Sequence, residues 1–339
     1  MQQWFLKVPF TLDKKGFCIV FAKPPLKIKS KNSEIRKFLS SLQIGLSDQE
    51  LQEAICNKQI SICFQHLQSR HLIVSQKVTD NLNPVYSRTL SYLQAKMPNS
   101  HWAWQQIQSA KIAILGCGGI GSLVAEHLVA MGVQNLSLID GDVVEQSNLN
   151  RQLLFTQNDC GKPKVDCLRH HLLERIPHAS ISSHKLWIKK GEDLEDRLEK
   201  DITFLVVCYD HPPIFCQIWS LETAINREIP YICGSLGINW GSWGPLLARR
   251  NKKVQYYQYL KTLKDEYKSD SSNIIRGSIC ATNHMIAAWM SMDIFNFLCN
   301  DSSVHSFEKK VCLNFNTLEF KFMDFCNVQK TVNNLPATS

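Results

Sequence analysis

The sequence contains no C-x-x-C pair, although it has 13 cysteines. Four-thiolate zinc sites usually draw on such pairs, so no structural zinc is expected. Cys56 and Cys63 stand seven apart, as do Cys160 and Cys167. In a reducing compartment such cysteines read as small buried hydrophobes. No apolar run approaches the roughly 20 residues of a membrane-spanning helix. The start, Met1-Gln2-Gln3-Trp4-Phe5, lacks the charged and apolar parts of a secretory signal. A cytoplasmic protein without a membrane partner is expected. No internal repeat is visible, which argues against a solenoid or propeller. No nucleic-acid-binding motif accompanies the net charge of +8, so no nucleic-acid partner is expected.

What is present begins with that charge. Lys7, Lys14, Lys15, Lys23, Lys27, Lys29, Lys31, Arg36 and Lys37 all precede residue 40. Such a face suits an anionic peptide or nucleotide, or simply solvent. A chain of 339 residues is long enough for two buried cores, and an apolar fraction of 44% is ordinary for a globular protein.

Residues 1–76 read as a separate small domain. Phe5-Leu6-Lys7-Val8-Pro9-Phe10 and Phe17-Cys18-Ile19-Val20-Phe21 predict a hairpin around Asp13-Lys14-Lys15-Gly16. Helical patterns follow from Ser33, from Ser47 (a capping-box start with Glu50) and through Ile60–Leu67. Residues 77–109 read as a polar connector with helical character. Residues 110–330 then alternate buried-strand runs with helical patterns. The strands are Lys111–Leu115, Leu136–Asp140, Phe204–Cys208 and Tyr231–Cys233, and Ile120–Met131 is an amphipathic helix. This predicts an α/β fold with a doubly wound, mostly parallel sheet. The polar stretch 251–275 reads as a mobile loop or lid, and 331–339 as a flexible tail.

The chemistry starts at Gly116-x-Gly118-Gly119-x-Gly121, between a buried strand and a helix. That context is what nucleotide binding requires of the pattern. Gly116 permits the turn, Gly118 lets backbone approach a phosphate, and Gly121 lets helix and strand pack closely. Asp140 ends the next strand some 20 residues on, where an acid can accept ribose hydroxyls. To this point an NAD dehydrogenase and an ATP enzyme fit equally. Asn148, Arg151, Gln152 and Lys164 follow close behind. A triphosphate carries about four charges and its departing pyrophosphate gains from several cations, whereas a dinucleotide rarely needs them.

These motifs together resemble the ThiF/MoeB/HesA superfamily, the adenylating enzymes related to ubiquitin-activating enzymes. The resemblance spans residues 85–325. It includes Gly116–Gly121, Leu138-Ile139-Asp140-Gly141-Asp142, Ser147-Asn148-Leu149-Asn150-Arg151-Gln152, Gly161-Lys162-Pro163-Lys164 and Val207-Cys208-Tyr209-Asp210. It implies a Rossmann-like fold and ATP with Mg²⁺ as cofactors. The implied nucleotide set is Gly116, Gly118, Gly119, Gly121, Asp140, Asp142, Asn148, Arg151, Gln152 and Lys164. Asp210 would hold the metal, and Arg151, Lys164, Asp210 and Arg88 would serve the reaction. Tyr86-Ser87-Arg88 resembles an element whose arginine reaches a partner's triphosphate, which implies a homodimer. The zinc pairs of the family's sulfur-carrier activators are missing. Cys280 reads as a buried structural thiol ahead of the helix Met285–Leu298. His211 stands where asparagine is usual, and the sequence assigns it no role.

Residues 1–76 resemble the winged-helix-like recognition domain of enzymes that mature ribosomally made peptides, of the microcin C and pantocin types. In that architecture the precursor peptide adds a strand beside the N-terminal hairpin. The resemblance implies adenylation of a carboxylate on a precursor peptide, in biosynthesis of a peptide antibiotic. The alternative is an activator of a ubiquitin-like sulfur carrier for thiamine or molybdopterin synthesis. A catalytically silent binding module is the reading from another class. The peptide and the carboxylate activated stay open.

Overall fold

The computed structural model describes residues 2–6, 10–12, 15, 17–20, 24, 26–28, 32–77, 83–97, 99–266 and 277–325. The chain divides into two compact units, Met1–Gln105 and Gln106–Ser339.

The first unit opens with β1 (Gln2–Leu6), β2 (Phe10–Leu12), β3 (Cys18–Val20) and β4 (Leu26–Ile28). Then come α1 (Ser33–Ile44), β5 (Leu46–Ser47), α2 (Asp48–Ile55), α3 (Lys58–Ser69), β6 (Ile73–Lys77), α4 (Ser87–Lys96) and the start of α5 (Ser100–Ser109). The expected single hairpin resolves into two sheets. β1 is the middle strand of an antiparallel β5-β1-β6 sheet, while β2, β3 and β4 form their own meander. Burial explains the split. Leu6 on β1 and Cys18 and Val20 on β3 enter one core with Phe38, Leu39, Leu42, Phe64 and Leu67 from the helices. Both sheets cover that core, so β1 gains more by pairing with β6 than by continuing into β2. Local capping follows the chemistry of the caps. Ser47 and Glu50 form the reciprocal capping box. At α1 the capping side chain is Asn32 rather than Ser33.

The second unit runs β7 (Lys111–Leu115), α6 (Gly119–Met131), β8 (Asn135–Ile139), α7 (Lys164–Arg175), β9 (Ser180–His184), α8 (Gly191–Arg197), β10 (Phe204–Val207) and α9 (Phe215–Asn226). It ends with β11 (Tyr231–Leu236), β12 (Trp240–Trp243), α10 (Arg250–Glu266), α11 (Cys280–Leu298), β13 (Lys310–Asn314) and β14 (Phe320–Met323). The sheet order is β14-β13-β12-β11-β10-β7-β8-β9. The five strands from β11 to β9 are parallel, and β12, β13 and β14 continue antiparallel. The inner strands β7 and β10 are apolar and buried on both faces because both faces are covered. Ala113, Leu115, Leu205, Val207 and Tyr231 pack against α8, α9 and α10. α6 and α11 pack together beside β7 and β11. No helix among the described residues is long and apolar enough to cross a membrane.

Residues 251–266 correct the expectation of a mobile loop. They form most of α10, and 267–275 and the tail 331–339 lie outside the described residues. The lysines and asparagines of this stretch mask an apolar stripe, in which Tyr256, Tyr259 and Leu260 are buried. Lys253 is itself fully buried, donating to the carbonyls of Ala224 and Ile229 at 2.7 and 2.8 Å. β9 was not foreseen, because Ser180-Ile181-Ser182-Ser183-His184 carries one apolar residue and gains its place by pairing with β8.

At the antiparallel end, Asp293 of α11 is 0% exposed. It accepts from Trp243 Nε1 and from the backbone N–H groups of His305 and Ser306, each at 2.8 Å. Asp293→Ala strands two buried donors and a part-buried one, so it is expected to destabilise the chain by on the order of 3 kcal/mol. Denaturant unfolding checks this; a loss below about 1 kcal/mol would refute the role.

Candidate active site

The site is built where β7, β8 and β10 end. Because the strands are parallel, their loops emerge on one edge, the place where open α/β sheets bind ligands. Gly116 donates to Ile139 O at 2.8 Å, and Cys208 donates to Leu115 O at 2.7 Å. The glycine loop is therefore tied to both neighbours. Gly116 has φ +89°, and a Cβ there would strike the backbone of Tyr209 at 2.6 Å. A Cβ on Gly121 would meet Gly116 O at 1.8 Å, so α6 can start here only with glycine. Gly118 caps α6 without a side-chain hydrogen bond, which leaves first-turn N–H groups for an anion.

Asp140 locks onto this loop. Its Oδ2 accepts from Cys117 N at 2.6 Å and its Oδ1 from Asp142 N at 2.8 Å. Burial pushes its carboxyl above the usual range, against these N–H bonds and Lys164. Each oxygen keeps acceptor capacity for a hydroxyl.

An antiparallel bridge between Val143 and Pro163 folds the next segment back. It sets Lys164 Nζ 2.7 Å from Asp142 Oδ2, with the lysine side chain only 7% exposed. Arg151 is half-buried and donates to Ser147 O at 2.7 Å and Asn150 Oδ1 at 3.1 Å. Asn148 is buried, and its Oδ1 accepts from Glu145 N at 3.1 Å, capping its own turn. Gln152 is buried beside Gly118, and its Oε1 has no hydrogen-bond partner. Asp210 is exposed two residues beyond Cys208, and His211 follows it, also exposed. Arg88 is exposed on α4 in the first unit. Cys280 is half-exposed at the start of α11, which corrects the expected buried thiol. α11 begins five residues earlier than its apolar pattern suggests. The loop's own thiols are poor nucleophiles, because burial pushes both Cys117 and Cys208 up.

Two residues at this edge escaped sequence reasoning. Trp187 is 57% exposed, and its indole lies on Gly141, where a Cβ would come 2.5 Å from the ring. Asn283 of α11 reaches Gly119 from a segment more than 160 residues away in sequence. An exposed tryptophan beside the acid strand was a weak available signal; nothing local marked Asn283.

The loop 156–164 that delivers Lys164 has its own anchor. Asp159 Oδ2 accepts from Thr156 N and Thr156 Oγ1, both at 2.8 Å, and contacts His171 Nε2 at 3.1 Å. Burial opposes its ionisation, but these bonds outweigh it and lower the carboxyl from 3.8 to about 2. A depressed carboxyl contributes stability that is present above its unfolded value and lost as pH falls through the folded one. Asp159→Asn is therefore expected to cost about 2 kcal/mol at neutral pH. The deficit should shrink as pH falls from about 4 to 2. Unfolding measured across that range checks it, and a pH-independent deficit would contradict it.

The glycines separate folding from binding. Gly121→Ala is expected to prevent stable folding, since its Cβ meets fixed backbone. Gly118→Ala meets only Gln152 Nε2 at 3.7 Å, so the fold should survive while ATP affinity falls roughly tenfold or more. Thermal denaturation and ATP titration test the pair; equal behaviour of the two variants would overturn the distinction.

Comparison with known proteins joins this geometry to a family. The ThiF family model matches residues 86–336, more than half of the chain. The adenylyltransferase and sulfurtransferase uba4 of Emericella nidulans is 36% identical over 130 residues, 38% of this chain and 26% of that protein. Ubiquitin-like modifier-activating enzyme 5 of Caenorhabditis briggsae is 25% identical over 254 residues, 68% of this chain and 55% of that protein. The matched stretch thus spans about a quarter to a half of these curated relatives. Among solved structures, E. coli MccB with ATP superposes with TM-score 0.73 at 24% identity, covering 96% of this chain and 97% of that one. PaaA gives TM-score 0.70 at 19% identity, covering 94% and 98%. These likenesses carry the same Rossmann-like architecture. The glycine loop, Asp140, Lys164 and Asp210 all fall inside the family match, and the chain belongs to the ThiF family.

Proposed function

We propose that the protein is an adenylyltransferase that uses ATP to activate a carboxylate of a ribosomally made precursor peptide, in biosynthesis of a peptide antibiotic. The observation that carries the reading is the meeting at one strand edge of a glycine loop, the Asp140 carboxylate bonded to it, Gln152 beside Gly118 and the buried Lys164 paired with Asp142. Gly116, Gly118, Gly119, Gly121 and Asp140 take the phosphates and ribose. Arg151 and Lys164 balance charge on the departing pyrophosphate, and Asn148 and Gln152 fix the segment that carries them. Asp142 holds Lys164 until the triphosphate arrives. Trp187 offers an indole face to the base. A substrate carboxylate oxygen attacks the α-phosphorus. The acyl–oxygen–phosphorus bond forms, the bond to the α,β-bridging oxygen breaks, and pyrophosphate leaves. No proton moves and no enzyme nucleophile is required, so alignment and charge stabilisation suffice.

Mg²⁺ fits the donors at this edge. Asp210 supplies one exposed hard oxygen and the triphosphate supplies the rest, the usual way this ion is held. When bound it would supply charge neutralisation on the phosphates. Among the described residues no group of three or more His, Cys, Asp or Glu is placed to hold a metal alone.

The precursor peptide is assigned to the first unit. One solved relative of the fold is the microcin C7 biosynthetic enzyme MccB in complex with N-formylated MccA, TM-score 0.72 at 23% identity. β1 is flanked by β5 and β6, so a peptide strand would add at an outer edge instead. Among the described residues β6 pairs only with β1 and β4 only with β3. Unpaired edge groups supply the affinity of such additions. Arg88 is assigned to a homodimer, reaching the partner's triphosphate. The second reading, activation of a ubiquitin-like sulfur carrier, rests on the 36% identity to uba4.

ATP–pyrophosphate exchange decides between them. Stimulation by short synthetic peptides supports the first reading, and stimulation only by a small protein ending in Gly-Gly supports the second. No exchange under either condition refutes adenylation. Lys164→Ala, Arg151→Ala and Asp210→Ala are each expected to reduce exchange by roughly a hundredfold with folding intact. Normal rates in all three would remove the assigned site.

A further inference from the structure

Asn283 is 3% exposed and lies against the phosphate loop. A Cβ on Gly119 would come 2.1 Å from its Oδ1. Its Nδ2 donates to Ser278 Oγ at 2.6 Å and to Ile279 O at 2.8 Å. Ile279 O can only accept, so the amide orientation is fixed and the carbonyl oxygen must face Gly119. Oδ1 itself accepts no hydrogen bond from any described residue. The oxygen keeps its full acceptor capacity beside the glycine loop, so a bound donor can take it.

The identity of that donor follows from what must stand here. Phosphate oxygens and the attacking carboxylate are acceptors and cannot serve. Ribose hydroxyls are taken at Asp140, just after β8. The reacting carboxylate must lie over the start of α6, beside the α-phosphorus. One bond beyond its α-carbon, the substrate's own backbone N–H is the nearest donor. Given the adenylation reading above, we propose that Asn283 is a specificity-determining residue. Its Oδ1 accepts the backbone N–H of the residue whose α-carboxylate is activated. The consequence is selectivity for a chain-terminal α-carboxylate over a side-chain carboxylate, which has no N–H at that spacing. Asn283 also links Ser278 and Ile279, at the entry to α11, to the phosphate loop.

The test uses the full chain and peptides active in pyrophosphate exchange, remade to end in alanine or in lactate. Lactate replaces the last N–H by an ester oxygen with almost no change of shape. The wild type is expected to prefer the amide by roughly tenfold or more in kcat/KM. Asn283→Ala should bring that preference within about threefold of unity, with ATP affinity changed by less than about twofold. Asn283→Asp keeps an acceptor, so it should keep the preference even where its overall rate falls. Equal use of both peptides by the wild type overturns the proposal, whether or not the variants fold. So does a preference retained in Asn283→Ala, or a loss of ATP–Mg²⁺ affinity that accounts for the whole effect. If no peptide supports exchange, the adenylation reading fails first and this proposal falls with it.

Discussion

The bond from Cys117 N–H to the Asp140 carboxylate, 2.6 Å long, is the constraint on which the site depends. It joins the loop after β7 to the residue after β8. The adjacent bond from Gly116 N to Ile139 O makes that junction two-pointed. With the loop held there, α6 can begin directly above the strands, and Gly121 must sit on Gly116 O. The same carboxylate accepts Asp142 N, which starts the turn that returns as Pro163 and Lys164. One side chain thus holds the glycine loop, the end of β8 and the turn that brings Lys164 back.

That arrangement carries an electrostatic cost that the structure balances locally. Lys164 is nearly buried, and an unpaired ammonium there would be strongly unfavourable. Asp142 neutralises it at 2.7 Å while keeping its own side chain 44% exposed. A triphosphate can therefore take over the lysine while Asp142 turns to water. Gln152 and Asn283 represent the opposite case. Gln152 Oε1 is buried without a donor near Gly118, and Asn283 Oδ1 accepts none beside Gly119. Polar groups of this kind persist where binding, not folding, satisfies them.

Family membership and specificity separate cleanly in this chain. The match over 86–336 and the parallel half of the sheet account for membership of the ThiF family. The first unit has its own core and two small sheets. Fold alone does not decide which partner such a unit recognises.

The sequence by itself determined the strand β7 to the residue, the glycine turn, the capping box at Ser47 and the order of the nucleotide motifs. These are local matters: apolar runs, a positive φ and a side chain reaching three residues are written in neighbouring positions. Asp140 and Asp210 were legible too, because they stand just past strand ends that share an edge, whereas Lys164 returns to that edge through the bridge between Val143 and Pro163. Tertiary structure alone decided the rest. Whether β1 pairs with β2 or with β6 depended on a core assembled from three helices and four strands. Residues 251–266 became helix because their apolar stripe met α9. β9 exists because β8 offered a free edge. Asn283 reached Gly119 only because α11 packs on α6. Contacts between residues far apart in sequence leave no periodic trace in either segment, so packing had to supply them.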